Sequence, residues 1–133
     1  MKFTKKEDLS FFLMSKLALN YKKRLTSLSE LAIEFNISEF FLKQLVRPLI
    51  KADLLISKEG KGGGYSLSKN PSKITVFDIF SALSTLPNLT QCCTLNTNEK
   101  CHLSSSCKPK FIWQKVNNNL LKEIKKIKLS DLI

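Results

Sequence analysis

Arginine is scarce in a chain that is otherwise strongly basic. Of 22 basic residues only Arg24 and Arg47 are arginine, and against 11 acidic residues the basic set gives a formal net charge of +11. Lysine is a point charge suited to phosphate, whereas arginine makes the bidentate contacts that read guanine. Most of the charge therefore points to general attraction to nucleic acid, with Arg47 the basic residue best suited to base recognition. Long hydrophobic runs are missing as well: stretches such as FFLM and LLI are too short to span a membrane. The opening MKFTKKEDLS has neither the apolar core nor the cleavage site of a secretory signal, so a cytoplasmic protein is expected. No repeat and no low-complexity linker interrupts the 133 residues, which suggests one domain, or a small domain with an appended element. A chain of this length buries a core without the help of disulfides. Cysteine is absent outside one short window, and that window holds no CxxC pair. This weighs against a zinc ribbon and against a thioredoxin-type redox motif.

What is present reads as a series of short helices. Residues 4–20 place Leu9, Phe12, Leu13 and Leu17 on one helical face. A second helix is predicted from Leu28 to Phe35, with Ser27 and Glu30 as a capping box. After a turn at Asn36 and Ile37, Ser38 caps a third helix that runs to Lys51 with Leu42, Leu45, Val46 and Leu49 inward. Pro48 lies inside that helix and is expected to kink or shorten it. Two short helices joined by a tight turn, the second polar and basic outside, fit a helix-turn-helix. Ser38, Glu39, Phe40, Lys43, Gln44 and Arg47 are then placed to meet a major groove.

The next stretch, LLISKEGKGGGYSLS, reads as two short strands around a loop that holds all four glycines of the chain. Glycine permits positive φ and close backbone approach. With Lys58 and Lys61 beside Gly62 and Gly63, the hairpin suits a wing that touches DNA. A nucleotide-binding loop would end in glycine–lysine–serine or –threonine and open a helix; here the glycines run into Tyr65, Ser66 and a strand. A short helix is predicted over 75–85 and a long one over 108–128. On the long one Trp113, Val116, Leu120, Ile124 and Ile127 form a single apolar stripe. Such a helix suits dimerisation, packing against the first helix, or both. The expected fold class is mainly α with a small β-hairpin wing: a winged helix-turn-helix over 1–85, a cysteine loop over 86–107, and a dimerisation helix with its tail over 108–133.

The four cysteines, Cys92, Cys93, Cys101 and Cys107, all lie in QCCTLNTNEKCHLSSSC. In a reducing compartment clustered thiols are ligands or sensors rather than staples. Thiolates suit an iron–sulfur cluster, zinc or copper(I). Cys93, Cys101 and Cys107 supply three, and Cys92 is a spare thiol or an alternative first ligand. No acid–base pair accompanies them, so an enzyme is not expected.

The chain resembles the Rrf2 family of winged-helix regulators. The resemblance rests on the MKFTKKED start, ISEFFLKQLVRPLIKADLL, EGKGGGYSLSKNPSKITVFDI, the cysteine segment and the closing KLSDLI. It implies a homodimeric transcription regulator on palindromic double-stranded DNA, with an iron–sulfur cluster held before the long helix. In the IscR-like branch a histidine stands three residues after the last cysteine; the matching residue here is Lys110. In the nitric-oxide-sensing NsrR-like branch the last cysteines stand as Cys-His-x-x-x-x-Cys, as do Cys101, His102 and Cys107. In some members an aspartate near the start of the first helix of the partner subunit completes the ligand set, and Asp8 occupies that position. The resemblance thus implies a repressor holding a four-iron cluster (4Fe-4S) on Cys93, Cys101, Cys107 and the other protomer's Asp8, with a two-iron cluster (2Fe-2S) as the alternative. Alternative functions are an IscR-like sensor of cluster supply or redox state, a zinc-stabilised interaction module and a redox enzyme.

Overall fold

The computed structural model describes residues 3–89 and 106–133. Cys92, Cys93, Cys101 and His102 lie outside the described residues. Helix α1 (Lys5–Leu19) begins at a capping box in which Glu7 accepts from the Thr4 backbone N–H at 2.7 Å and from the Thr4 hydroxyl. Its buried face carries Leu13, Met14, Leu17 and Ala18; Phe12 is 57% exposed. Helix α2 (Leu28–Phe35) is capped by the Ser27 hydroxyl, which accepts from the Glu30 N–H at 3.2 Å. The Glu30 carboxylate does not close the expected box; it pairs instead with Arg24 at 2.6 and 2.9 Å. Asn36 ends α2 in the left-handed conformation at φ 53°, which turns the chain into α3 (Glu39–Lys51).

Pro48 does not shorten α3. It removes the N–H that would reach the Gln44 carbonyl, but Gln44 is on the exposed face, where water can replace that donor. Leu42, Leu45, Val46 and Leu49 hold the other face in the core on both sides of the proline. The two strands β1 (Leu55–Lys58) and β2 (Gly64–Leu67) pair antiparallel, with Leu55 opposite Leu67 and Lys58 opposite Gly64. Leu55 and Leu67 are buried, so one end of the hairpin is rooted in the core while its glycine tip projects.

A 3-10 turn (Pro71–Lys73) leads to α4 (Val76–Ala82), started by a full capping box between Thr75 and Asp78. This helix ends three residues before the expected boundary, because Ser84 turns to φ 56°. The long helix α5 (Pro109–Lys126) stops short of 128 because its last residues pair with another segment. Val76 N–H donates to Ile127 at 2.9 Å and Leu129 N–H to Ile74 at 2.7 Å, drawing the chain into an extended stitch before a final 3-10 turn (Leu129–Leu132). Leu129 is fully buried in the main core, so the chain end locks the base of α5 to the head.

The predicted stripe on α5 divides in two. Ile124 is buried and Leu120 half-buried against Val76 and Phe80. Trp113 and Val116 are 43% and 46% exposed, beside exposed Phe111 and Ile112. Ile127 is also exposed. Among the described residues, none of the head covers the apolar side chains on the first half of α5.

Candidate nucleic-acid interface and cofactor site

Side chains of α3 divide cleanly between core and solvent. A four-residue spacing carries Glu39, Lys43 and Arg47 along one outer row and Phe40 and Gln44 along the next, and all five are exposed. Lys43 and Arg47 give that face its positive charge, and Phe40, at 72% exposure, gives it an apolar contact surface. Among the described residues neither Arg47 nor Gln44 makes a side-chain hydrogen bond or ion pair, whereas Arg24 is bound to Glu30. Of the two arginines, then, Arg47 is the one available to a base edge. Ser38 has a different duty from the other residues of the predicted set: its hydroxyl accepts from the Phe41 N–H at 3.1 Å and caps α3.

The wing is held in a fixed attitude to the helices. Thr26 N–H donates to the Tyr65 carbonyl at 3.0 Å, and Tyr65 N–H donates back to Thr26 at 2.8 Å. Thr26 is fully buried, so these bonds tie the wing's second strand to the residue just before the α2 cap. Gly64 makes the approach possible: a Cβ there would stand 2.6 Å from the Thr26 carbonyl oxygen. Gly63 has no more room, since a Cβ would overlap the Lys58 carbonyl inside the hairpin. Gly60 and Gly62 have open space but positive φ, which the tip requires. Lys58, Lys61 and Gly62 are exposed.

Between wing and helices lies an open notch of about 380 Å³, with Ser27 and Ser29 on one side, Lys58, Gly60 and Gly63 on the other, and Glu39 at the base of α3. Ser27, whose hydroxyl caps α2, and Ser29 line the notch without having been placed at this face from the sequence.

At the opposite end of α1, an open cavity of about 520 Å³ is lined by Phe3, Thr4, Glu7, Asp8, Phe11 and Phe80. Glu7 and Asp8 are adjacent in sequence but differ in role. Glu7 is buried and committed to the cap. Burial alone would raise its pKa, but hydrogen bonds from the Thr4 hydroxyl and backbone N–H outweigh that and hold it below the usual 4.5. Asp8 is exposed and, among the described residues, its carboxylate makes no hydrogen bond or ion pair. Cys107 is a free, half-buried thiol just before α5. Among the described residues no three metal-binding side chains come together. Of the predicted ligands, the structure thus locates Asp8 and Cys107 only.

The model of the Rrf2 family, described as an iron-dependent transcriptional regulator, matches residues 3–133. This chain belongs to the Rrf2 family. An HTH-type transcriptional regulator of Neisseria meningitidis is 29% identical over the whole chain and 88% of its own length. The structure of CymR (YrzC), the global cysteine regulator of B. subtilis, superposes with a TM-score of 0.78 at 29% identity, covering 99% of this chain and 95% of that one. T. potens IscR superposes at 0.74 and 29% identity, covering 99% and 85%. The Rrf2 chain is accordingly a DNA-binding transcriptional regulator with a winged-helix fold, not an enzyme. Among the described residues no helix is long and apolar enough to cross a membrane.

Proposed function

We propose that this Rrf2 protein is an iron–sulfur-dependent repressor that responds to nitric oxide, working as a homodimer on a palindromic operator. In this reading residues 1–85 read DNA, 86–107 hold the cofactor, and 108–133 dimerise and close the head. The exposed row Glu39, Lys43 and Arg47, with Phe40 and Gln44, enters the major groove. Lys58, Lys61 and the backbone at Gly62 and Gly63 meet phosphate or the flanking groove. Two such heads read half-sites about one helical turn, ~34 Å, apart. The uncovered first half of α5, with Phe111, Ile112, Trp113 and Val116, supplies an apolar surface for a second copy.

The cofactor reading is carried by one observation: Asp8 is an exposed, uncommitted carboxylate, because Glu7 caps α1. Asp8 stands in the first turn of α1, where its charge also favours the helix dipole, and its carboxylate oxygens are open to a ligand. The donor set fits an iron–sulfur group, with a half-buried thiol at Cys107, the thiols at Cys93 and Cys101, and Cys92 as a spare. When bound, such a cluster supplies a site reactive toward nitric oxide. In this reading Cys107 ties the group to the start of α5, and Asp8 of the other protomer ties it to α1. The two heads are thereby held at one separation, and release of Asp8 frees them without unfolding either.

A second reading, an IscR-like sensor of cluster supply, is favoured by the likeness to T. potens IscR; Lys110 stands where that branch has its histidine. Anaerobic iron and sulfide analysis with nitric oxide titration and operator binding decides between them. Cys101→Ala and Cys107→Ala abolish cluster binding, while Cys92→Ala is mild. Asp8→Ala stays folded and dimeric but loses most of the difference in operator affinity between cluster-loaded and cluster-free protein. Unchanged iron in Cys107→Ala, or an unchanged affinity ratio in Asp8→Ala, overturns the bridging arrangement. A holo protein that ignores nitric oxide but follows cluster supply selects the second reading.

A further inference from the structure

Asn117 is the one polar residue buried on α5, at 2% exposure. It is the first of three consecutive asparagines, and Asn118 and Asn119 are both exposed. Asparagine is a poor helix former, and an amide buried without partners is costly. Neither helix formation nor packing therefore explains it, since an apolar residue would serve both better seven residues before buried Ile124. Its partner does explain it: the Leu89 N–H donates to the Asn117 side-chain oxygen at 3.1 Å. Leu89 is the last described residue before the cysteine segment, three positions ahead of Cys92.

The chain approaches this point along α5. Leu86 packs with the small cluster around Ile124, and Pro87 is buried. Three residues after Leu86 the backbone reaches Asn117, which lies one to two turns nearer the start of the helix than Leu120, Leu121 and Ile124 of that cluster. The segment leaves from there and returns at Cys107, two residues before α5 begins at Pro109. Eight residues separate Pro109 from Asn117, about 12 Å of helix. The described residues on either side, Leu89 and Cys107, are thus held to one rigid element, one through an amide and the other through the chain itself.

We propose that Asn117 is a positioning residue that fastens the entry of the cysteine segment to α5, so that a change at the thiols is delivered to the helix instead of being absorbed by a slack stem. The consequence for sensing rests on the cluster reading given above; the fastening itself does not.

The test uses the full-length protein with Asn117→Leu, which keeps the branched shape and favours the helix but removes the acceptor, and Asn117→Asp, which keeps an acceptor oxygen. In wild type the Leu89 amide is protected from hydrogen exchange. Asn117→Leu lowers that protection tenfold or more and speeds proteolytic cleavage within 90–105 by a similar factor, with exchange in α3 unchanged. Asn117→Asp restores most of both. An unprotected Leu89 amide in wild type, which needs no variant to fold, overturns the proposal. So does an Asn117→Leu protein with wild-type protection, or an Asn117→Asp protein that behaves like it. Anaerobically, the cluster is lost several-fold faster from Asn117→Leu; an unchanged lifetime overturns the positioning role. Wild-type protein that takes up no iron refutes the cluster reading instead, and the exchange and proteolysis results still decide the fastening.

Discussion

Replacing Gly64 by alanine tests whether the wing's orientation depends on close backbone approach. Gly64 has φ 153°, and a Cβ there would stand 2.6 Å from the Thr26 carbonyl oxygen and 2.8 Å from its carbon. Neither is a flexible side-chain end; both atoms are backbone of a fully buried residue. The strained conformation costs about 1–3 kcal/mol in a non-glycine residue. Relief of the overlap requires the wing to move off Thr26, which breaks the reciprocal bonds at 2.8 and 3.0 Å. Those contribute about 0.5–1.5 kcal/mol each, more if the buried Thr26 groups are left without partners. Because moving the strand relieves part of the strain, the terms do not simply add, and Gly64→Ala should destabilise by roughly 2–4 kcal/mol. Gly60→Ala is the control: its φ of 93° is unfavourable, but a Cβ there meets nothing within 4 Å. Its cost should stay near ~1 kcal/mol, since the exposed tip can relax. Urea unfolding of both variants measures the difference, and non-specific DNA affinity at low salt reports the wing. If Gly64→Ala costs no more than Gly60→Ala, the stitch to Thr26 does not orient the wing.

The remaining predictions concern the DNA face and the α1 cap. Arg47→Ala or Gln44→Ala should relax sequence preference by ~1–3 kcal/mol per contact, measured by competition between operator and mutated operator; Lys61→Ala should instead weaken all sequences alike and flatten the salt dependence. Loss of the Glu7 cap in Glu7→Ala should cost about 0.5–2 kcal/mol at pH 7. Because the folded-state pKa of Glu7 is depressed, its ionised form contributes fully above the unfolded value near 4.5, and the contribution is lost as pH falls through the folded value. The stability gap between wild type and Glu7→Gln should therefore shrink below pH 4.5, and a pH-independent gap would show that the charge on Glu7 is not what matters.

The helix-turn-helix and wing were legible in the sequence because both rest on local chemistry. Ser27 and Ser38 cap helices wherever the chain places them, the Leu42–Leu49 spacing selects one face of α3, and four glycines in five positions define a hairpin tip. Those features depend on neighbours a few residues away. Other outcomes depended on partners distant in the chain. Glu30 left its capping box for Arg24, α5 ended early because Ile74 and Val76 offered backbone partners, and Trp113 and Val116 fell on the exposed first half of α5 while Ile124, on the same stripe, packs on the head. The division of labour between Glu7 and Asp8 likewise appeared only once the Thr4 cap was formed. Asn117 is the clearest case. In the sequence it is one of three identical residues in a polar run, and only the folded chain buries one of them and gives its side-chain oxygen a partner in the Leu89 N–H. Periodicity and capping fix which elements form, since hydrogen bonds and side-chain spacing within an element are set by the chain itself. Which polar group is buried, and what satisfies it, is decided by the elements that meet it.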